Sequence, residues 1–323
     1  MVAFLKLSES DVDKKIKGIV LRFERTSIHD GEGLRTVIFL KGCPLRCLWC
    51  STPESINPSP EIGYDVEACA ECYSCVAVCP TKAIGPLVQE KGIFIRKNVC
   101  NFCFSCVVNC PHNALKAYGC EMNVESVLKE VEKDGVFFYH SNGGVTLSGG
   151  EPLLQAEFCG EILKGCQTRG INTAVETSSF VPWDNYQKVL PYLDAVYTDI
   201  KCLDPNTHRK LTSQSNDLIL SNIRRIDRSE YNVELVIRIP LIPGINDSAD
   251  NLMDTLEFCR SLKKISKLEL LPYHRLGVKT YKFLGIPYVL GDVESASIEW
   301  AEEKANLLRE ESVDLDIVVS GNY

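Results

Sequence analysis

The sequence predicts an α/β fold, a full or partial barrel of parallel strands, with a small cysteine-rich insertion near its start. Two observations predict it. From residue 121 onward, short apolar runs alternate with stretches of helical pattern about 10 to 16 residues long, which is typical of right-handed βαβ units. Residues 58–118 differ in character, because they are dense in cysteine and their apolar runs are short.

Each element of the predicted barrel follows from its own stretch of sequence. The apolar, β-branched runs predict strands at residues 35–41, 143–147, 171–176, 195–200, 234–239, 267–271 and 315–319. The helical patterns predict helices at residues 121–133, 154–169, 183–193, 218–227, 249–262 and 294–311. Gly170 supplies a C-terminal stop for the second helix. In a barrel of this kind the functional side chains collect after the carboxyl ends of the strands.

Composition and charge narrow the class of protein. The chain has 323 residues, of which 45% are hydrophobic and 24% are charged, as in ordinary globular proteins. Its net charge of −8 argues against sequence-independent nucleic-acid binding, which needs a basic surface. The N-terminus lacks the apolar core of a signal peptide, and no stretch reaches the roughly 18 to 20 apolar residues of a membrane span. We therefore expect a soluble, cytoplasmic protein that binds neither nucleic acid nor membrane.

The first cysteine cluster has the spacing Cys43-x3-Cys47-x2-Cys50 and directly follows a predicted strand. Three thiolates on one loop can ligate three irons of a 4Fe–4S cube and leave the fourth iron open to a small molecule. A structural zinc site and three unligated thiols are the alternatives. Structural zinc takes four ligands, and no fourth cysteine or histidine is nearby in the sequence. The spacing therefore favours an iron–sulfur cluster.

The insertion contains two copies of the bacterial ferredoxin run, Cys-x2-Cys-x2-Cys-x3-Cys-Pro. In that arrangement the fourth cysteine of each run ligates the cluster of the other run. One predicted cluster therefore uses Cys69, Cys72, Cys75 and Cys110, and the other uses Cys100, Cys103, Cys106 and Cys79. Electron relay is the expected role of this pair, and a structural role is the alternative. The five remaining cysteines show no ligand spacing and are expected in the core.

Polar residues at the ends of later strands are candidates for binding a small molecule. In Ser148-Gly149-Gly150-Glu151-Pro152, the glycines let the backbone approach a ligand, and the glutamate can accept an ammonium group. Asp199 and Lys201 share one side of a strand end, where a structural salt bridge is the alternative. Three further candidates end strands in the same way, namely Glu176, Arg238 and His274.

The chain resembles the glycyl radical enzyme activating enzymes, of the radical S-adenosylmethionine superfamily, over nearly its whole length. The matching segments are residues 27–36, 39–54 (FLKGCPLRCLWCSTPE), 143–153 (GGVTLSGGEPL), 197–201, 221–223 and 270–277. The resemblance implies a partial (β/α)6 barrel at residues 1–57 and 119–323, with a ferredoxin-like domain inserted at 58–118. It also implies three 4Fe–4S clusters and reductive cleavage of S-adenosylmethionine. The product, a 5′-deoxyadenosyl radical, would abstract a hydrogen atom from a backbone glycine of a large glycyl radical enzyme.

The same resemblance implies roles for single residues. Gly149, Gly150 and Glu151 would hold the methionine amino group, and Trp49, Asp199, Lys201, Arg238 and His274 would contact the rest of the cofactor. Glu176 with Asp199 would hold a monovalent cation, and Asp30 would touch the glycine loop of the partner. Flavodoxin or ferredoxin is the expected electron donor, and a monomer is expected. The chain departs from the family pattern at Glu32, Ser179 and Ser213, where the family has proline, glycine and glycine.

Two other functions are alternatives to activation of a glycyl radical enzyme. The first is a radical enzyme of the same chemistry that acts on a small molecule. The second is an electron-transfer iron–sulfur protein without a radical step.

Overall fold

The computed structural model describes residues 16–88 and 90–321, and its largest element is a nine-stranded sheet. Residues 1–15, on which the expectation about a signal peptide depends, lie outside this part. The strands are β1 (Lys17–Ser27), β2 (Arg35–Leu40), β3 (Glu61–Tyr64), β4 (Ile84–Pro86), β5 (Ile93–Ile95), β6 (Leu115–Tyr118), β7 (Cys120–Asn123), β8 (Gly144–Gly149), β9 (Asn172–Thr177), β10 (Ala195–Asp199), β11 (Glu234–Leu241), β12 (Ile265–Pro272) and β13 (Asp316–Val319).

The large sheet is mixed and open. Its strand order is β13-β12-β11-β10-β9-β8-β2-β1-β7, so β13 and β7 are its two edges. The seven strands from β13 to β2 are parallel, as predicted, whereas β1 pairs antiparallel with both β2 and β7. The prediction of a purely parallel sheet is therefore wrong at one edge. It missed β1, because charged residues interrupt the apolar run of that strand. It placed residues 121–123 of β7 in a helix, because this four-residue strand runs directly into a helix that begins at Val124.

Eleven α-helices lie within the described residues. They are α1 (Ser74–Ala77), α2 (Ser105–Val108), α3 (Val124–Glu132), α4 (Gly135–Ser141), α5 (Ala156–Gln167), α6 (Trp183–Val189), α7 (Pro205–Thr212), α8 (Asp217–Arg228), α9 (Ala249–Arg260), α10 (Val278–Leu284) and α11 (Ile298–Glu311). Asn123, Asp204, Ser248 and Ser297 cap four of them by accepting a hydrogen bond from a first-turn backbone N–H. No helix of this part of the chain combines the length and the apolar character that crossing a bilayer requires.

The parallel strands are buried on both faces, which explains their continuous apolar runs. In β11, Leu235, Ile237 and Ile239 pack into the main core. The alternate residues point to the other side, where Val236 packs with Ala174, Ala195 and Tyr197 in a small inner cluster. Arg238 lies two residues beyond Val236 on the same face. The polar candidates at the strand ends therefore continue the inner face of the open barrel.

The insertion forms two small antiparallel sheets, in which β3 pairs with β6 and β4 with β5. Its two cysteine runs repeat in backbone conformation as well as in sequence. Left-handed φ angles occur at Glu71, Tyr73 and Lys82 in the first run, and at the matching Phe102, Phe104 and Asn113 in the second. Helices α1 and α2 follow the second cysteine of each run in the same way.

A buried ion pair joins the insertion to the barrel. The side chain of Lys41, directly after β2, is fully buried, and its Nζ lies 3.2 Å from Glu61 Oε2 at the start of β3. The same amine donates to the backbone carbonyl of Glu54. Lys41 precedes Gly42 and Cys43, so this contact fixes the insertion close to the first cysteine loop.

Candidate functional site

A cavity of about 410 Å³ lies at the carboxyl ends of the parallel strands, and its size is that of a small-molecule site. All but one of the candidate residues for the cofactor and the partner peptide line it. They are Asp30, Cys43, Cys47, Trp49, Cys50, Gly149, Gly150, Glu176, Asp199, Lys201, Arg238 and His274. The exception is Glu151.

The first cysteine loop forms one wall of this cavity and is held by backbone hydrogen bonds. The N–H of Cys43 donates to the carbonyl of Ile56 at 3.1 Å, and that of Arg46 donates to Thr212 at 2.8 Å, at the end of α7. Trp49 is buried against Leu211 and other apolar residues. The loop therefore presents its three thiols from a fixed backbone.

Burial controls the protonation of these thiols. It raises the pKa of Cys43 and of Cys47 to about 12, and that of Cys50 to about 11. The Glu151 carboxylate adds to the rise at Cys43, whereas the Lys201 ammonium opposes it at Cys47. Metal ligands must be thiolates, so binding of metal to this loop has to displace protons.

Glu151 lies behind the cavity and not in it. Its side chain is fully buried, and its carboxylate accepts hydrogen bonds from Thr177 Oγ1 at 2.8 Å, Ser178 Oγ at 2.6 Å and the Ser178 N–H at 2.8 Å. Its carboxylate therefore fixes the turn after β9. The predicted role of Glu151 in holding the methionine amino group stays a prediction. Sequence reasoning missed Thr177 and Ser178.

The two glycines before Glu151 are required by neighbouring backbone. A Cβ on Gly149 would come within 2.4 Å of the backbone of Leu40, and one on Gly150 within 2.4 Å of the Gly42 carbonyl oxygen. Gly149 also has a φ of +115°. These positions therefore demand glycine whether or not a ligand is bound, and they leave the glycine backbone on the cavity wall.

Arg238 is the centre of a buried charge cluster. Its Nε lies 2.8 Å from Glu269 Oε2, its Nη1 donates to Glu176, and its guanidinium carbon lies 4.3 Å from the centre of the Tyr197 ring. Burial alone lowers the pKa of Arg238, but the two glutamates raise it above its ordinary value overall. Glu269, which the sequence analysis missed, stands beside Arg238 in the register of β11 and β12.

Asp199 and Lys201 form the salt bridge that was the alternative to ligand binding. Lys201 Nζ lies 2.7 Å from Asp199 Oδ2, and the lysine side chain is buried while the aspartate is half-buried. Asp199 and the neighbouring Cys47 raise the pKa of Lys201 against the opposing effect of burial. Both residues still line the cavity.

The pair of carboxylates predicted to share a monovalent cation is occupied by protein cations. Glu176 is bound to Arg238 and accepts a hydrogen bond from Ser148 Oγ at 2.5 Å, while Asp199 is bound to Lys201. Among the described residues, no group of three or more His, Cys, Asp or Glu side chains is arranged to hold a single metal ion. The monovalent cation on Glu176 and Asp199 stays a prediction.

We expect the pH dependence of stability to report on Glu176. Burial, with a contribution from the Asp30 carboxyl and against the effect of Arg238, raises the pKa of Glu176 from 4.5 to about 7. Between these values the folded chain holds more of this proton than the unfolded chain, so stability falls as the pH rises. The urea midpoint of Glu176→Gln should fall less over this range than that of the wild type. Parallel profiles for the two proteins would contradict the assignment.

Asp30 lies on the loop between β1 and β2, at the edge of the cavity. Its carboxylate bonds to the Ser27 hydroxyl, and its carbonyl accepts from Thr146 Oγ1 at 2.7 Å. The same threonine oxygen accepts from Arg35 Nε at 2.7 Å, and Arg35 is 1% exposed. Arg35 is another buried residue that sequence reasoning missed, and it braces the loop that carries Asp30.

The insertion brings cysteines of its two runs close together. One cavity is lined by Cys69, Cys72 and Cys75 of the first run and by Cys110 of the second. Cys79 of the first run lies near Cys103 of the second, whose thiol also has Ser105 as a neighbour. This placement supports the two predicted ligand sets.

Two of the departures from the family pattern lie at left-handed backbone. Ser179 has a φ of +59° and Ser213 a φ of +69°, and glycine adopts such angles more easily than serine. The Ser179 hydroxyl bonds to Tyr186 Oη at 2.6 Å and to Thr198 Oγ1 at 2.7 Å. These contacts offset part of the backbone strain at that position.

Comparison with known proteins assigns the family. Residues 97–259, about half of the chain, match the Radical SAM superfamily, and residues 61–111 match a 4Fe-4S dicluster domain. The first match begins after Cys50, so the role of the first cysteine loop depends on its spacing and its place in the cavity. The (2S)-3-sulfopropanediol dehydratase activating enzyme of Klebsiella oxytoca is 43% identical over 282 residues, 86% of this chain and 88% of that protein. The chain belongs to the glycyl radical enzyme activating enzymes of the radical SAM superfamily.

Other comparisons agree with this membership. The isethionate sulfite-lyase activating enzyme of Nitratidesulfovibrio vulgaris is 40% identical over 288 residues, 88% of this chain and 93% of that protein. Streptococcus suis SuiB bound to precursor peptide SuiA resembles the chain in fold, with a TM-score of 0.52 and 15% identity over 89% of this chain and 48% of that one. The predicted fold class and enzyme class of this activating enzyme are confirmed. Membership of the superfamily implies a 4Fe–4S cluster and S-adenosylmethionine as cofactors.

Proposed function

We propose that this activating enzyme holds a 4Fe–4S cluster on Cys43, Cys47 and Cys50 and binds S-adenosylmethionine beside it. We further propose that it abstracts a hydrogen atom from a backbone glycine of a partner glycyl radical enzyme. One observation carries the proposal: a single cavity brings three cysteine thiols together with paired acidic and basic side chains and an exposed glycine backbone.

The donor set of the first loop fits a cluster with an open corner. The three cysteines line one cavity, and no fourth cysteine of the described residues lines it. When bound, the cluster and S-adenosylmethionine supply an electron and a 5′-deoxyadenosyl radical. The chain itself supplies three fixed thiolates, and the Lys201 ammonium favours the thiolate form of Cys47.

The polar wall of the cavity matches the charges of S-adenosylmethionine. The cofactor carries an ammonium, a carboxylate and a sulfonium, so its site needs both signs of charge. Asp199 and Glu176 offer negative charge, and Lys201 and Arg238 offer positive charge, each held in place by its protein partner. Such fixed dipoles orient a ligand without reorganisation. His274 and Trp49 complete the wall as the proposed contacts to the remaining cofactor surface.

The mouth of the cavity suits an inserted peptide loop. Asp30 stands on one side of the cavity, and its neighbour Ile28 is 64% exposed. Leu276, which also lines the cavity, is 66% exposed. Exposed apolar side chains beside a carboxylate offer both burial and a hydrogen-bond acceptor to a peptide. We therefore propose that Asp30 contacts the glycine loop of the partner.

The insertion at residues 58–118 is proposed to be a separate domain with two further 4Fe–4S clusters, which pass electrons from flavodoxin or ferredoxin to the first cluster. Its crossed cysteine sets support two sites. The buried Lys41–Glu61 pair supports a fixed position of this domain beside the first cysteine loop.

The partner is proposed to be a large glycyl radical enzyme. The two relatives described above are 43% and 40% identical to this chain, yet one is named for a dehydratase and the other for a sulfite-lyase. Their similarity to this chain therefore supports a glycyl radical enzyme as the partner, but it does not distinguish one glycyl radical enzyme from another.

The proposal predicts transfer of hydrogen from a peptide. Anaerobically reconstituted protein, given dithionite and S-adenosylmethionine, is expected to form 5′-deoxyadenosine. With a partner enzyme whose glycines are deuterated at Cα, mass spectrometry should find deuterium in that product, and electron paramagnetic resonance should find a glycyl radical. The reason is that the abstracted hydrogen moves to the adenosyl carbon.

The matched control is the same partner with its loop glycine replaced by alanine, which should form neither the radical nor the labelled product. Absence of 5′-deoxyadenosine would remove both radical functions. Formation of 5′-deoxyadenosine that never acquires deuterium from any glycyl radical enzyme would favour the small-molecule rival.

A further inference from the structure

Tyr64, the last residue of β3, carries a buried hydroxyl that has no hydrogen-bond partner among the described residues. Its side chain lines the cavity formed by Cys69, Cys72, Cys75 and Cys110. A Cβ at Gly92 would come within 2.5 Å of the hydroxyl oxygen, so the glycine leaves the room that this hydroxyl occupies. The fold therefore accommodates a polar group at the wall of the cysteine cavity.

Folded proteins rarely leave a buried hydroxyl without a partner. Cys69 and Cys75 line the same cavity and act on the Tyr64 phenol, as does the backbone of Ile93. Both cysteines belong to one of the two ligand sets. A cysteine sulfur bound to iron carries negative charge, which makes it a better acceptor than a neutral thiol. A buried hydroxyl without a hydrogen-bond partner at this place is expected if an iron–sulfur cluster fills the cavity.

The second run lacks this donor. Tyr64 stands five residues before Cys69, and Ile95 stands five residues before Cys100. The backbones of the two runs otherwise repeat each other, with left-handed residues at matching positions. Isoleucine has no side-chain donor. The two sites thus share their cysteine spacing and backbone conformation, but only the first has this side-chain donor.

We infer that Tyr64 donates a hydrogen bond to the sulfur of Cys69 and thereby raises the reduction potential of the cluster on Cys69, Cys72, Cys75 and Cys110. Hydrogen bonds to cluster sulfurs stabilise the more negative, reduced state. The step is a one-electron reduction in which no covalent bond changes and the phenol keeps its proton. In this role Tyr64 acts on the cluster through Cys69 and does not itself ligate iron. The inference rests on the proposed presence of clusters in the insertion.

The test is a potentiometric titration of Tyr64→Phe, followed by electron paramagnetic resonance. It uses the reconstituted full chain in which Cys43, Cys47 and Cys50 are alanine, so that only the insertion holds iron. The midpoint potential of one cluster is expected to fall by at least about 59 mV. For a one-electron couple, this shift lowers the ratio of reduced to oxidised cluster at a fixed potential tenfold. The other midpoint should not move.

The matched control is Tyr118→Phe. Tyr118 belongs to the same small sheet through its pairing with Glu61, but it does not line the cysteine cavity. Its variant should leave both midpoints unchanged. Iron content is measured for every protein, because a purely structural role of Tyr64 would lower the iron per chain.

A second substitution covers the case in which Tyr64→Phe loses its cluster. Incorporation of 3-fluorotyrosine at position 64 keeps the shape of the side chain and strengthens the donor, so the midpoint should rise. Unchanged midpoints at full iron content, or shifts of both variants in one direction, would overturn the inference while leaving the proposed function intact. An insertion without iron in the parent protein would overturn both the inference and the proposed clusters of the insertion, but not the proposed chemistry of the first loop.

Discussion

Replacement of Cys43, Cys47 and Cys50 together by alanine is expected to abolish 5′-deoxyadenosine formation and to leave about two thirds of the iron, since two of three proposed cubes keep all their ligands. The three thiols share one cavity wall, and the insertion holds its eight cysteines elsewhere. Loss of 5′-deoxyadenosine formation, with the iron of the insertion retained, would show that the first loop and the insertion hold separate clusters. Iron analysis and product chromatography on the anaerobic protein measure the two quantities.

The matched control for this triple variant is Cys120→Ala. Cys120 is an exposed cysteine on β7 that lines neither cavity. Its variant should keep both the iron and the activity. If 5′-deoxyadenosine still formed after all three loop cysteines were removed, the cluster that cleaves the cofactor would have to lie in the insertion. The proposed assignment of the first loop would then be wrong.

Replacement of Arg238 by alanine is expected to lower the free energy of unfolding by about 3–5 kcal/mol, the usual cost of removing one partner of a buried charge pair. The substitution leaves Glu176 and Glu269 close together without their shared counter-charge. Urea titration of the anaerobic protein, followed by circular dichroism, gives the change. We expect the S-adenosylmethionine affinity to fall as well, because the cavity loses the guanidinium that offers positive charge to the cofactor.

Two further variants test the cause of this loss. Arg169→Ala breaks an exposed ion pair with Glu132 and should cost at most about 1 kcal/mol. The combined change Glu176→Gln, Arg238→Met and Glu269→Gln removes all three charges and should recover much of the stability. If the combined variant were as unstable as Arg238→Ala, lost packing and not unpaired charge would explain the effect.

The buried charges give the proposed site its rigidity. Glu176, Arg238 and Glu269 come from β9, β11 and β12, so their contacts tie three strands together at the cavity. Lys201 and Asp199 form a second pair beside the first cysteine loop. A site that positions a reactive group needs such support from rigid elements.

The sequence alone predicted the cysteine ligand sets and determined the class of the fold. The spacing of Cys43, Cys47 and Cys50, and the two runs that begin at Cys69 and Cys100, are local patterns on single loops. The spacing of cysteines within one loop does not depend on how the rest of the chain folds. The parallel strands could likewise be predicted, because strands buried on both faces are continuous apolar runs.

The tertiary structure decided which side chains meet. Arg238 stands beside Glu269 only because β11 and β12 pair in one register, and Glu151 turns away from the cavity because Thr177 and Ser178 enclose its carboxylate. The antiparallel strand β1, which lies next to the edge strand β7, escaped prediction because charged residues interrupt its apolar run. These contacts join residues far apart in the chain, so their energies depend on packing and register, which spacing along the sequence does not encode.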